Sequence, residues 1–139
     1  MQIDIGLERV EKILHVADIH IRNFKRHKEY RQVFRKLYKD AKQLPKNSLI
    51  YVAGDIVHTK TDISPELIEL TSEFLRKLAD IRPTIVITGN HDANLNNSSR
   101  LDALTPIIDN LNHPNLHYLK DSGIYRVCNI DFIVMSVFN

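Results

Sequence analysis

The chain has 139 residues, 43% of them hydrophobic and 26% charged, which leaves room for one globular domain with a core. Its formal net charge of +2 is too small to indicate a nucleic-acid or membrane partner by itself. The single cysteine, Cys128, excludes an internal disulfide, and no run approaches the roughly 18 apolar residues of a membrane span. The polar, acidic start of the chain does not resemble a secretory signal. We therefore expect an intracellular protein, from cytoplasm, nucleus or a virus-infected cell, with no membrane association.

Strands and helices are predicted to alternate along most of the chain. Short apolar runs that end in polar turns predict buried strands over 13–17, 49–53 and 84–88. Apolar stripes with a 3.6-residue period predict helices over about 24–44, 64–80 and 99–111. Further strands are expected over 116–119, 124–128 and 130–138. This order predicts an α/β fold, with a mainly parallel sheet, flanking helices and a final antiparallel segment.

Helix ends are marked by local signals. Ser64 followed by proline is typical of an N-cap and first helical position, and Pro45 ends the first helix. Ser99 and Asp102 resemble a capping pair for the third helix. Pro106 predicts either a kink in that helix or a restart with Thr105 as the cap.

Three polar motifs follow the first three predicted strands. They are Asp18-Ile19-His20, Gly54-Asp55-Ile56-Val57-His58 and Gly89-Asn90-His91-Asp92. Open α/β sheets place their ligand sites at the carboxyl ends of parallel strands. Because all three motifs would meet there, carboxylate, imidazole and amide donors are expected to converge on a metal site.

The donor types suggest how such a site would work. Asp18 and His20 are two residues apart, so in extended geometry both side chains could bind one ion. Asp55 could bridge two ions through its two oxygens, and Asn90 would add a neutral carbonyl ligand. Mixed donors of this kind suit Mn²⁺, iron or Zn²⁺ better than Ca²⁺. Two ions about 3.5–4 Å apart could clamp a phosphate and lower the pKa of a bridging water.

The third motif also offers acid–base chemistry. His91 is placed to donate a proton to a leaving alkoxide, and Asp92 could hold that imidazole in the required tautomer. The alternative is that all three motifs are ordinary polar turns between strands and helices. Turn chemistry accounts for glycine, asparagine and aspartate but requires no histidine, whereas each motif contains one. We therefore favour the metal site.

Together the motifs resemble the pattern of calcineurin-like metallophosphoesterases, Asp-x-His, Gly-Asp-x-x-(Asp/His) and Gly-Asn-His-(Asp/Glu), across essentially the whole chain. The resemblance implies the sandwich fold of those enzymes. It also implies that Asp18 and His20 bind the first of two metal ions, Asp55 bridges both, and Asn90 binds the second. By the same resemblance His91 would be the proton donor.

Within the family the chain looks most like SbcD-type DNA double-strand-break nucleases, on the basis of His58, the 59–65 loop and residues 97–101. That resemblance implies a Mn²⁺-dependent exo/endonuclease subunit that processes DNA ends in repair or recombination beside an SbcC-type ATPase. It further implies a homodimer through helices 64–80 and 99–111, and a role for His58 in positioning the DNA end. Two alternatives stay open. One is a phosphatase of the same fold acting on a small-molecule or protein phosphate, and the other is a non-catalytic dimeric DNA-end scaffold.

The chain departs from the family pattern after the third motif. The family has a lone histidine and a His-x-His farther along, whereas only His113 and His117 follow here. We interpret His113 as a surface turn residue and His117 as a strand residue rather than as ligands. Residues 1–139 are therefore expected to be the amino-terminal part of the domain, with weak or single metal binding and little catalysis.

Several charged and apolar groups have two interpretations. Arg22, Lys25 and Arg26 directly follow the first motif, so we expect them to contact DNA. The basic side of the first helix is interpreted as a solvated face rather than a phosphate-binding stripe. His15 is expected to be a core or half-buried histidine. Apolar side chains in the second and third helices could form a dimer face, but helical spacing is more typical of core; they are Leu67, Phe74, Leu101 and Ile108.

Overall fold

The computed structural model describes residues 1–22, 26–58, 63–89 and 102–137. The strands are β1 (Gln2–Ile3), β2 (Lys12–Val16), β3 (Ser48–Ala53), β4 (Thr84–Ile87), β5 (Leu116–Tyr118), β6 (Gly123–Val127) and β7 (Ile130–Val134). The helices are α1 (His27–Ala41), α2 (Pro65–Ile81) and α3 (Leu104–Leu111). The predicted α/β class is confirmed. None of the described helices combines the length and apolar character that crossing a bilayer requires.

The strands form two sheets. A four-stranded sheet has the order β2-β3-β4-β5, and each neighbouring pair in it is parallel. A three-stranded sheet has the order β1-β6-β7, in which β1 is parallel to β6 and β7 is antiparallel to it. The predicted parallel sheet and antiparallel segment are both confirmed, and the carboxyl ends of β2, β3 and β4 lie side by side.

The four-stranded sheet is covered on both faces. Residues alternate along β3, so that Ile50 and Val52 join the core beneath the helices, while Leu49 packs toward the three-stranded sheet. On the helical side, Phe34 of α1 and Phe74 of α2 stack with ring centroids 4.3 Å apart. The result is the expected two-sheet sandwich with flanking helices, which holds the carboxyl ends of the parallel strands rigidly.

The apolar side chains considered for a dimer face belong mainly to this core. Leu67 and Phe74 are fully buried, and Ile108 is nearly so. Their burial confirms the interpretation that these three residues belong to the core. Leu101 lies outside the described residues.

The sequence predicted the start of α2 correctly but not the start of α3. The Ser64 hydroxyl oxygen accepts a hydrogen bond from the Leu67 amide at 3.1 Å, as the capping signal predicted. In α3 it is Asp102 that caps, since its Oδ1 accepts from the amides of Leu104 and Thr105 at 2.8 Å each. Pro106 then falls in the first turn, where its missing N–H costs no helical hydrogen bond. The expected kink, or restart capped by Thr105, is wrong.

The first predicted strand is less buried than expected. β2 lies at the edge of its sheet, where it pairs with β3, and Ile13 keeps 43% of its surface exposed. His15 is likewise exposed and touches Tyr51 ring to ring at 5.1 Å, so its expected burial is wrong. An apolar run cannot reveal which strand has a neighbour on each side.

Candidate metal centre

Three predicted ligands come together at the carboxyl ends of β2 and β3. Asp18, His20 and Asp55 each offer a donor atom, and these atoms lie within 4.8 Å of one another. His20 Nε2 is 3.8 Å from an Asp18 carboxylate oxygen and 3.9 Å from an Asp55 oxygen. The Asp55 side chain is 17% exposed and that of Asp18 75%, so the cluster opens outward past Asp18. We call these three residues the Asp–His–Asp cluster.

The backbone under the cluster is strained and tied down. Asp18, His20 and Asp55 have positive φ angles of 56°, 52° and 50°, so the extended geometry expected for Asp18 and His20 is wrong. Such conformations cost a non-glycine residue about 1–2 kcal/mol and persist where the surroundings fix them. Here the His20 amide donates to the Asp55 carbonyl at 2.9 Å, and the His58 amide donates to the Ile21 carbonyl at 2.8 Å. These hydrogen bonds join the first two motifs into one unit.

The third motif begins in contact with Asp55. A Cβ atom on Gly89 would lie 2.1 Å from an Asp55 carboxylate oxygen and 2.3 Å from the Asp55 amide nitrogen. A Cβ atom on Gly54 would in turn lie 2.7 Å from the Gly89 nitrogen. Only glycine at both positions permits this approach. Asn90 follows Gly89 directly in the sequence. Asn90 itself, with His91 and Asp92, lies outside the described residues.

Helix α1 supports the first motif through Tyr30. The Tyr30 hydroxyl donates to the carbonyl oxygen of His20 at 2.7 Å and lies 3.3 Å from that of Ile19. The sequence placed Tyr30 only in the apolar stripe of the helix. The available signal is general and applies equally to Tyr38 in the same stripe: a tyrosine hydroxyl must find a partner when it is half-buried.

A buried polar network supports the third motif. The Asp102 side chain is fully buried and accepts hydrogen bonds from Tyr118 and Lys120 at 3.0 Å each. Tyr118 also bonds the hydroxyl of Thr88, the residue before Gly89. Burial would raise the pKa of Asp102, but its hydrogen bonds, first those from Thr105 and Lys120, outweigh burial and hold that pKa below its ordinary value. The network fixes the end of β4.

An open pocket adjoins the cluster. It measures about 660 Å³ and is lined by His20, Arg22, Arg26, Tyr30 and His58. The rings of His20 and His58 meet edge to face with centroids 5.6 Å apart. The predicted DNA-contacting residues Arg22, Arg26 and His58 are thus placed beside the cluster, whereas Lys25 lies outside the described residues. Two guanidinium groups beside a carboxylate–imidazole cluster suit a phosphate group.

The two later histidines lie where the sequence put them. His113 precedes β5 in a turn, and its Nε2 is 2.7 Å from an Asp80 oxygen. His117 lies within β5 beside Ile85 of β4, and burial lowers its pKa. Neither belongs to the Asp–His–Asp cluster formed by described residues.

Comparison with known proteins decides the family. Residues 11–138 match the family model for calcineurin-like phosphoesterases. The chain belongs to that family. Calcineurin-like phosphoesterases are metal-dependent hydrolases that use divalent ions. The chain is also 51% identical, over 138 residues covering 97% of its length, to an uncharacterized protein of Acanthamoeba polyphaga mimivirus. It spans 10% of that relative's length.

The cluster fits a divalent ion. Donors bound about 2.1 Å from one ion lie about 3–4.2 Å from each other in tetrahedral or octahedral geometry. The separations of 3.8 Å and 3.9 Å measured from His20 Nε2 fall in that range. Two carboxylates and one imidazole are also the donor types expected in this calcineurin-like phosphoesterase. Small side-chain rotations would therefore let all three residues share an ion.

Proposed function

We propose that this chain is the amino-terminal, metal-binding part of a nuclease that hydrolyses phosphodiester bonds at DNA ends. One observation carries the proposal: His20 of the Asp–His–Asp cluster also lines a pocket that holds Arg22, Arg26 and His58. The cluster supplies metal ligands, and the pocket supplies cations for the phosphates on either side of a scissile bond.

Asp18, His20, Asp55 and Asn90 would hold two divalent ions, for which we propose Mn²⁺. When bound, such ions polarise a phosphate and make a water acidic enough to attack it near neutral pH. The side chains of the chain itself have separate tasks. Asp55 is the most enclosed carboxylate of the cluster, so it suits the shared, bridging position. Asp18 is the most exposed and suits the outer side of one ion.

His91 and Asp92 complete the proposed site. We assign His91 the transfer of a proton to the leaving oxygen, with Asp92 orienting its imidazole. Both follow Gly89 in the chain, and Gly89 contacts Asp55. His58 lies edge-on to His20 and lines the pocket, which suits a residue that steers the DNA end toward the metal ions.

The arginines favour a polyanionic substrate over a small phosphate. Guanidinium groups bind phosphate oxygens in pairs and remain charged at any physiological pH. Arg22 and Arg26 are both exposed, so they can reach phosphates beyond the one at the metal centre. A pocket of about 660 Å³ also accommodates more than one phosphate group.

The remaining features of the proposal concern the whole protein. We propose that it acts inside the cell on DNA ends as an SbcD-type subunit beside an SbcC-type ATPase, and that it dimerises through helices α2 and α3. The family's distal histidine ligands are not found in residues 1–139, so this chain by itself is expected to bind metal weakly and to turn over slowly.

The metal-dependent chemistry is tested by measuring the hydrolysis of two small substrates in the presence of Mn²⁺. A nuclease site should hydrolyse an aryl phosphodiester faster than the matching phosphomonoester, and Asp55→Asn should abolish both activities. Asp109→Asn, which changes an exposed carboxylate on α3, is the matched control and should leave both unchanged. A clear preference for the monoester would instead favour a phosphatase.

DNA-end recognition is tested by binding a duplex with free ends and the same duplex closed by hairpins. We expect the open duplex to bind more tightly and that preference to disappear in the double variant R22Q/R26Q. The double variant R9Q/K12Q removes two exposed cations from another surface and should keep the preference. Equal binding of open and closed duplexes by the unchanged protein would contradict end recognition. If D55N and H91N leave both end binding and assembly intact, a scaffold role is the better account.

A further inference from the structure

A second basic surface lies between helices α1 and α2, away from the metal centre. It is a continuous groove formed by two adjoining cavities of about 460 Å³ and 280 Å³, which share Arg35, Tyr38 and Lys77. We call it the α1–α2 groove. Its basic side chains come from both helices: Arg31, Arg35, Lys39, Lys42, Arg76 and Lys77.

Acidic side chains neutralise only part of this charge. Glu73 forms ion pairs with both Lys77, at 2.9 Å, and Arg31, at 3.9 Å. Hydrogen bonding to Lys77 and the surrounding cations hold the pKa of Glu73 below its ordinary value. The second groove carboxylate, Asp80, lies 3.4 Å from Arg76. Glu73 and Asp80 pair with only some of the groove's cations, so the groove keeps an excess of positive charge.

The excess is concentrated on α1. Arg35, Lys39 and Lys42 are exposed and form no ion pair with any residue in the part of the chain that the structure describes. The dipole of α1 accounts for a cation in its last turn, where Lys39 lies, but not for Arg35 a turn earlier. Like charges held this close favour a bound anion.

The shape of the charge indicates the kind of anion. Positions 31, 35, 39 and 42 follow one face of α1 and span about 16 Å at 1.5 Å per residue. Along one DNA strand a phosphate recurs about every 3.4 Å of helix axis, so this line of cations faces several phosphates at once. The groove floor gives little else to recognise, since Phe34 and Tyr38 are buried against the core.

We infer that the α1–α2 groove binds the phosphate backbone of duplex DNA, independently of metal and of base sequence. Both helices begin at the carboxyl end of the parallel sheet and run back from it. Lys39 therefore lies about 18 Å along α1 from the helix start beside the metal centre. This inference extends the proposed function, because the groove would hold a duplex segment away from the reacting end.

The test is duplex binding in EDTA, measured by fluorescence anisotropy over a range of salt concentrations. In K39E/K42E, affinity at 0.1 M salt should fall at least tenfold, and the slope of log K against log salt should shrink by about 1.8, or 0.9 per lost phosphate contact. R9E/K12E has the same net charge and alters exposed cations elsewhere, so it should keep most of the affinity and slope. The neutral K39Q/K42Q serves if the acidic variant folds poorly.

Equal losses in the two acidic variants would show a general effect of net charge and overturn the inference. So would unchanged binding in K39E/K42E. Because these measurements contain EDTA, they do not depend on the metal centre. The loss expected in K39E/K42E therefore stands even if the proposed nuclease activity proves wrong.

Discussion

Replacement of Gly89 by alanine is the sharpest structural test of the metal centre. The new Cβ would lie 2.1 Å from an Asp55 carboxylate oxygen and 2.3 Å from the Asp55 backbone nitrogen. Rotating the carboxylate away would relieve the first contact but not the second, because the nitrogen belongs to the backbone. The loop after β3 or the end of β4 must therefore move. Overpacking of this kind costs about 1–3 kcal/mol.

Stability and metal binding should both respond. We expect the free energy of unfolding of G89A in urea, without metal, to fall by about 1–3 kcal/mol. In the unchanged protein, Mn²⁺ at 100 times its dissociation constant should add about 2.7 kcal/mol, since it binds the folded state alone. In G89A most of that increment should be lost, because the displaced Asp55 no longer shares an ion with His20.

Gly6 provides the matched control. It has a φ of +72°, and nothing lies within 4 Å of the Cβ that an alanine would add. G6A should therefore lose about 1–2 kcal/mol through backbone strain alone and keep the full Mn²⁺ increment. The reasoning is refuted if G89A shows an undiminished increment, since the contact with Asp55 would then have no bearing on metal binding.

Two further side chains should support the site without touching substrate. Y30F removes the hydroxyl that bonds the His20 carbonyl, so stability should fall by about 1 kcal/mol and Mn²⁺ affinity should weaken, as read by urea unfolding and calorimetry. D102N removes the buried carboxylate that pairs with the partly exposed Lys120 ammonium, so the free energy of unfolding should fall by about 1–3 kcal/mol. The pKa of Asp102 is lower in the folded state than in the unfolded state. The contribution of Asp102 to the free energy of unfolding is therefore present above the unfolded-state pKa of about 3.9 and is lost as pH falls through the folded-state pKa. The stability difference between D102N and the unchanged protein should therefore shrink below about pH 4, and an unchanged difference at pH 2.5 would contradict that assignment.

The sequence was sufficient for the parts of the molecule that depend on local pattern. Short apolar runs located the central strands and period-3.6 apolar spacing located the helices. The parallel order then brought Asp18, His20 and Asp55 to one end of the sheet. The Ser64 cap was predictable because it needs only a hydroxyl and a proline in sequence.

Features that depend on packing between distant residues could not be predicted. Tyr30 reaches the His20 carbonyl only because α1 folds back over the loop after β2. Asp102 joins Tyr118 only when α3 and β5 are assembled. The α1–α2 groove likewise brings together basic residues that are more than 30 positions apart in the chain, such as Arg35 and Arg76.

Calorimetric titration of the chain with Mn²⁺ tests the central claim most directly. The unchanged protein should bind Mn²⁺ saturably, D55N should lose at least tenfold in affinity, and D109N on the outside of α3 should match the unchanged protein. The Asp–His–Asp cluster is then an ion-binding centre. The account is contradicted if D55N and H20A bind Mn²⁺ as tightly as D109N does, because the three side chains would then meet without holding a metal ion.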